Sequence, residues 1–383
     1  MKTILKSAAL LFCLGAMMSS CSRKVESVPP DAVPIFPQAN FTVVPDPLDG
    51  FTFKFTNTST KYTKLEMRFG DDSLALKADI THTYVNTGDP SKAFKYTIDL
   101  KAFSETGDIS HKYLDIPIYP DSIIKFTATK ISSTTTLGTV KFNAVVKATV
   151  KSYDWTFNVL NQKTSKFTVV KSTLASPEIP FEIGSMNTFT LTIVTDKGST
   201  ASLTRNVTVD GIATDITGSY VNKLPLYPAT QLTTVENTAQ GVNEGASKMF
   251  DGNLTTKFGY YSAFPTPLIL TLQFPAPVLV KSYGWMNGND SGTTRDPKQW
   301  IIEGSNSASG PWDELDNVTL TKGFFDMGTD LGLTGNGPSG IDIRYRKWWY
   351  YPLKKTGLYT FYRIRVVAVF GSAFQMTEIA FFK

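Results

Sequence analysis

The chain is poor in the residues that carry catalytic chemistry. Of its 383 residues only two are histidine and two cysteine, and neither His82 nor His111 stands beside a nucleophile motif. No Ser-His-Asp order, GxSxG elbow or HExxH helix occurs, so acyl transfer and zinc-dependent hydrolysis lack their usual signatures. A glycosidase needs a carboxylate pair across a cleft, which leaves no such mark, but the segments here are short for the folds that host one. The chain reads as a non-enzyme. Charge is also sparse and scattered: a formal +5 over the whole length, with no Lys/Arg block, offers nucleic acid no clustered basic face. No segment after the first twenty residues sustains a helical period.

The front end is distinctive. Lys2 and Lys6 precede an apolar run from Ala8 to Met18 that closes on Met18-Ser19-Ser20-Cys21. A permanent span needs about 20 apolar residues, so this shorter run with a basic start and small residues at its end has the layout of a secretory signal. The terminal cysteine makes the site resemble the lipobox of bacterial lipoproteins. That resemblance implies removal of residues 1–20 and attachment of diacylglycerol to the Cys21 thiol. Cys13 leaves with the signal, so the mature chain has one cysteine and no disulfide. Residues 21–37, with Pro29, Pro30, Pro34 and Pro37, read as a tether. By the same resemblance Ser22, in place of Asp, directs the lipid to the outer membrane. Display on the cell surface is expected, although Arg23, Lys24 and Glu26 depart from the acidic export signals of related lipoproteins.

What fills the rest is alternation. FTFKFTNTS at Phe51, FKYTIDLKAFS at Phe94, KFNAVVKATV at Lys141, FTLTIVTD at Phe189 and LILTLQF at Leu268 interleave apolar residues with Thr, Lys or Ser. This is the period of half-buried strands, and the predicted fold class is all-β. The strand–turn–strand units around Gly107 and Gly198 repeat one another, which predicts one sandwich at 38–120 and a second at 121–212. In the first, FTNTS, RFGDD at Arg68 and THTY at Thr81 resemble the PKD family of immunoglobulin-like sandwiches, with Met67 where that family commonly has Trp. The second keeps the strands without those motifs and is PKD-like or immunoglobulin-like. The string GIATDITGSYVNKL, from Gly211 to Leu224, supplies a polar linker at 213–224, and 225–383 forms the last domain.

That last domain carries DGNLTTKF from Asp251, RDPKQWIIEGSN from Arg295, Trp312, FYRIRV from Phe361 and TEIAFF from Thr377. In order and spacing these resemble the discoidin-like family, also called coagulation factor 5/8 type C domains, many of whose bacterial members are carbohydrate-binding modules. The resemblance implies a jelly-roll β-sandwich that binds glycan through its loops. It also implies a structural Ca2+ held by the Lys248 carbonyl, Asp251, Asn253, Thr256 and Glu378, a mix of carboxylate and carbonyl oxygens suited to that ion. The alternative is that DGN is a simple turn and Glu378 a surface acid. Trp300, Trp312, Phe258, Tyr362, Ile364 and Val366 read as core.

Sugars present a flat C–H face and a rim of hydroxyls, so a site pairs an aromatic ring with fixed hydrogen-bonding groups. Three loops offer them: Tyr260, Tyr261 and Phe264; then Asn287, Asn289, Asp290 and Arg295; then Trp348 and Tyr350 in RYRKWWYYPLKK. Alternation puts Trp349, Tyr351 and Leu353 on one face of a strand and leaves Trp348 and Tyr350 on the other, either as a stacking platform or as a partly wet strand face. Asp296-Pro297 can instead set the start of the next strand. The whole layout is similar to that of bacterial surface glycan-binding lipoproteins, which implies as partners a glycan, the outer membrane and a neighbouring outer-membrane transporter. The competing reading is an adhesin or assembly module that grips a protein. Metabolic labelling with an alkyne fatty acid checks the anchor: the parent chain is expected to take up label and Cys21→Ser to take up none.

Overall fold

The computed structural model describes residues 36–86, 88–164, 166–220, 222–224, 244–261, 267–337 and 340–383. The signal, Cys21, nearly all of the tether and Phe264 lie outside the described residues. The chain is all-β, built from antiparallel sheets. It divides into two compact units. One takes in the described part of Met1–Thr42 with Phe55–Ile80 and Thr97–Leu114, and the other takes in Val43–Lys54, Thr81–Tyr96 and Asp115–Lys383. The predicted first sandwich is therefore shared between units.

In the first unit the strand Lys64–Arg68 pairs with Phe94–Phe103, Lys64 opposite Phe103 and Arg68 opposite Asp99. Alternation turns Leu65 and Met67 inward, and Phe55 packs on Phe69 with ring centroids 5.1 Å apart. The FGD turn works because Gly70 has φ +83° and a Cβ there would lie 2.8 Å from the Thr97 backbone. Met67 is 1% exposed, an apolar core residue.

The second unit contains the second sandwich. A five-stranded sheet, in order Lys166–Ser172, Val150–Asn161, Asn187–Thr195, Thr200–Thr208, Gly211–Ala213, faces a three-stranded one of Glu178–Glu182, Leu137–Val146 and Ile124–Ser133. The strand Asn187–Thr195 alternates without a break, burying Phe189, Leu191 and Ile193. Between the sheets Trp155 and Phe157 stack on one another with Phe142 tilted against both, and the Trp155 indole N–H finds the Leu174 carbonyl at 2.8 Å. Truncation of such a ring costs about 3–5 kcal/mol.

The third domain sets a five-stranded sheet of Asn222–Leu224, Leu268–Leu279, Leu358–Val369, Pro297–Ser305 and Asp313–Thr319 against a three-stranded one of Trp348–Pro352, Ser282–Met286 and Glu378–Phe382. Its core holds Phe258, Trp285, Trp300, Tyr362, Ile364, Val366 and Trp349. A polar thread is satisfied within it: the Trp300 N–H donates to the Tyr283 hydroxyl at 2.8 Å, which donates to Asp316 at 2.6 Å. Trp312 differs from the core expectation. It is half-buried, with the Arg363 guanidinium 4.1 Å from its ring centroid.

The expected linker at 213–224 needs correction. Thr214 and Lys383 exchange backbone hydrogen bonds at 3.1 and 3.0 Å, Ile216 donates to the Phe381 carbonyl at 2.9 Å, and Asn222–Leu224 pairs with Leu268–Leu279. A segment tied by so many backbone bonds is part of the domain it precedes. Ala213, Ala380 and Phe382 form a small buried cluster covered by Met186, Trp348 and Tyr350, so the second sandwich and the third domain share a packed seam.

A buried carboxylate braces the loops. Asp296 is fully buried; one oxygen accepts the Phe325 N–H at 3.0 Å at the start of the helix Phe324–Asp330, while the other has no partner among the described residues. Burial pushes its carboxyl up to about 7, with Asp326 adding to the rise and the N–H groups of Phe325 and Phe324 opposing it. The unfolded chain ionises this group near 4. Between those values the folded state holds a proton the unfolded state has released, so stability falls as pH climbs from about 4 to about 7 and levels off above. Asp296→Asn, which keeps an acceptor and removes the charge, is expected to melt higher than the parent at pH 8 and to flatten this slope. An unchanged slope in thermal melts from pH 5 to 8 would count against the assignment.

Candidate functional site

The strand Phe258–Tyr260 pairs with Phe374–Met376 and sends Phe258 and Tyr260 into the core. Lys257 and Tyr261, one step out of phase, lie on the other side with the polar loop that follows strand Ser282–Met286. Lys257 is 7% exposed, and its ammonium reaches Asp290 at 3.0 Å, the Gln375 side-chain oxygen at 3.2 Å and Glu244 at 3.8 Å. Asp290 also binds Arg295 at 2.6 Å, and the Arg295 guanidinium lies 4.6 Å from the Tyr261 ring centroid. The Gln375 amide donates to the Asp290 carbonyl. Burial, with a hydrogen bond to Glu244, pushes the Tyr261 phenol well up, so it stays a hydrogen-bond donor throughout the neutral range. Asn289 contributes a buried side-chain oxygen with no partner among the described residues.

Tyr261, Asn289, Asp290 and Arg295 are thus the predicted loop residues that share one neighbourhood. Others do not belong with them. Tyr260 is 6% exposed inside the core cluster, so its ring is packing and not a ligand platform. Asn287 is fully buried and spent on the backbone: its amide donates to the Arg344 carbonyl and its oxygen accepts the Lys347 N–H, both at 2.9 Å.

Trp348 and Tyr350 lie on the face turned toward the second sandwich, partly buried, and not with the Tyr261 group. Their rings stack 5.7 Å apart at 17°, Tyr350 lies 5.8 Å from Phe382, and both cover the seam with the second sandwich. A side chain at Gly284 would meet the Tyr350 ring at 2.8 Å, which is why glycine sits opposite it. Sequence reasoning had the right face but not what covers it. It missed Lys257, Glu244 and Gln375, although alternation through Lys257-Phe258-Gly259-Tyr260-Tyr261 placed Lys257 and Tyr261 together.

The expected metal ligands also converge in part. Thr256 donates to Asp251 at 3.0 Å, Asn253 offers its N–H to Asp251 at 2.8 Å, and its side-chain oxygen accepts from Thr255. Glu378 begins the last strand, 4% exposed, with one carboxylate oxygen unpartnered among the described residues. Burial, then its hydrogen bond and charge repulsion with Asp251, push Glu378 up to about 8. Burial opposes ionisation of Asp251 too, but the Asn253 N–H, Thr256 and Glu378 hold its carboxyl below the usual range. The Lys248 ammonium stands 3.5 Å from Asp251. Two carboxylates this close share a proton unless a cation takes its place. The oxygen-only donor set and the orphaned Glu378 oxygen fit a hard cation, although no group of three or more His, Cys, Asp or Glu residues gathers among the described residues.

No family model matches the chain, and no curated protein matches it. Among solved structures it is similar to the family 32 carbohydrate-binding module of NanJ from Clostridium perfringens, solved with galactose, at 12% identity, covering 45% of this chain and 100% of that one with TM-score 0.30. It is similar to the C-terminal domain of a chitobiase from Bacteroides fragilis at 14% identity, covering 42% of this chain and 90% of that one, TM-score 0.29. A third is the F5/8 type C domain of another Bacteroides fragilis protein, at 12% identity over 37% of this chain and 82% of that one, TM-score 0.28.

Proposed function

We propose that the chain is a glycan-binding lipoprotein, fixed through Cys21 to the outer membrane and displayed at the cell surface. Its two PKD-like or immunoglobulin-like sandwiches carry a discoidin-like domain that captures polysaccharide or host glycoconjugate without transforming it. The captured glycan passes to a neighbouring outer-membrane transporter. The observation that carries this reading is the meeting of Tyr261 with Asp290 and Arg295 of a separate loop. A hydroxyl both donates and accepts, so it finds complements in a carboxylate and a guanidinium held at fixed spacing. Both carboxylates near Lys257 lie within ion-pair reach of its ammonium, which suits them to accept hydrogen bonds from a ligand.

Calcium belongs to the same proposal as a structural ion. Asp251 and Glu378 would supply its charge, with Thr256, Asn253 and the Lys248 carbonyl as neutral donors. It would tie the 251–256 loop to the final strand and so hold Lys257 and Tyr261, a few residues on, in place.

Binding is checked on a glycan array beside a lysate pull-down. Arg295→Ala, which removes charged hydrogen bonds of about 1.5–3 kcal/mol, is expected to weaken retention tenfold or more at an unchanged melting temperature. A silent array with one protein specifically retained would establish the adhesin reading instead. For the ion, calcium added after chelation is expected to raise the melting temperature, by about 2.7 kcal/mol of stability at a hundredfold excess over Kd. Asp251→Asn and Glu378→Gln should abolish that rise, and a parent protein indifferent to calcium would refute the site.

A further inference from the structure

Beside the seam, the second sandwich and the third domain enclose a cleft of about 390 Å³. One wall is Gln162, Ile183 and Gly184, at the ends of strands Val150–Asn161 and Glu178–Glu182; the other is Trp349, Tyr350 and Tyr351, with the helix Phe324–Asp330 closing one side. Small-molecule sites typically span roughly 300–1,000 Å³ and favour domain junctions. The Thr214–Lys383 and Ile216–Phe381 backbone bonds tie the chain leaving the second sandwich to the last strand of the third domain.

Its polar groups decide what fits. Trp349 is 6% exposed and lines the cleft with its ring, while its indole N–H, which meets no acceptor among the described residues, is sealed from the cleft. Gln162, 7% exposed, gives its amide N–H to the Ile183 carbonyl at 2.8 Å, and no donor among the described residues meets its side-chain oxygen. Among the described residues no Lys or Arg lines the cleft, and the Asp330 carboxylate at its side is exposed and paired with Lys322 at 2.8 Å, so no cation is placed there to hold a phosphate, sulfate or carboxylate. A neutral ring with apolar faces and hydroxyls that both accept and donate satisfies all of these.

We propose that this cleft binds one neutral pyranose residue, as a second point of glycan attachment separate from the Tyr261 cluster and present only when the two domains are seated together. It rests on the glycan-binding reading above. Methyl β-galactopyranoside, methyl β-glucopyranoside and methyl α-mannopyranoside are titrated into the purified full chain carrying 15N-labelled indoles. The six tryptophans give six indole signals, with that of Trp349 assigned by its loss in Trp349→Phe.

At least one sugar is expected to shift the Trp349 signal saturably. The shift should survive Arg295→Ala and weaken at least tenfold in Ile183→Phe, which fills the cleft from a residue 40% exposed and so leaves the core alone. A sugar that binds in an Arg295-dependent way while the Trp349 signal stays fixed would sink the cleft and leave the Tyr261 site standing. So would an undiminished response in Ile183→Phe. Absence of binding by all three sugars at either place would remove both readings.

Discussion

The strand Glu378–Phe382 is the member on which the second unit depends, because all five of its residues are buried. A strand sends alternate side chains to opposite faces, so burial throughout requires something packed on each. Ile379 and Phe381 enter the third domain's core, while Ala380 and Phe382 face the seam with the second sandwich. Its backbone pairs with Ser282–Met286 along one edge and meets Thr214 and Ile216 from the other. Its first residue, Glu378, reaches the 251–256 loop. Core, domain junction and loop thus share a single five-residue element, and a change in its register by one residue would invert all three at once.

The same strand explains why the cluster around Lys257 can exist. A lysine with 7% of its surface exposed is stable only where partners replace the lost water, and the Asp290 carboxylate, the Gln375 oxygen and Glu244 do so. Gln375 is held by the strand Phe374–Met376, which leads directly into Thr377 and Glu378. The Thr377 hydroxyl donates to the Asn287 carbonyl at 2.9 Å and fixes the start of the loop that bears Asp290. Such an ion cluster adds little to stability compared with apolar packing, and its effect is to hold donors and acceptors at set positions.

Much of the fold was legible because alternation is written locally. FYRIRV and FTLTIVTD declare which residues point inward, and Tyr362, Ile364, Phe189 and Leu191 do so. Trp349 and Leu353 followed from the same period. Period alone does not tell what stands opposite an outward face, which is why Trp348 and Tyr350 read as open rings until the second sandwich covered them. Composition misled at 213–224, where Asp215 makes a turn with the Thr217 N–H and hydroxyl at 2.8 and 2.6 Å and the backbone does the rest. Two of the partners of Lys257, Asp290 and Gln375, lie 33 and 118 residues away, a separation that no local pattern encodes.

The character of the loop site follows from its own neutrality. Asp290 is already shared by Lys257 and Arg295, and Tyr261 lies under the Arg295 guanidinium, so an incoming hydroxyl competes with bonds the protein makes to itself. The net gain per contact is then small, because each new hydrogen bond replaces either water or an internal partner. Orientation is retained all the same, since the groups do not need to be ordered on binding. A site of this kind discriminates hydroxyl geometry better than it holds any one ligand. Where several such contacts are fixed on one rigid body or many copies stand on one surface, retention grows through effective concentration and not through the strength of a single pocket. The packed seam matters for that reason: it makes the last two domains a single frame, in which separated groups keep their spacing.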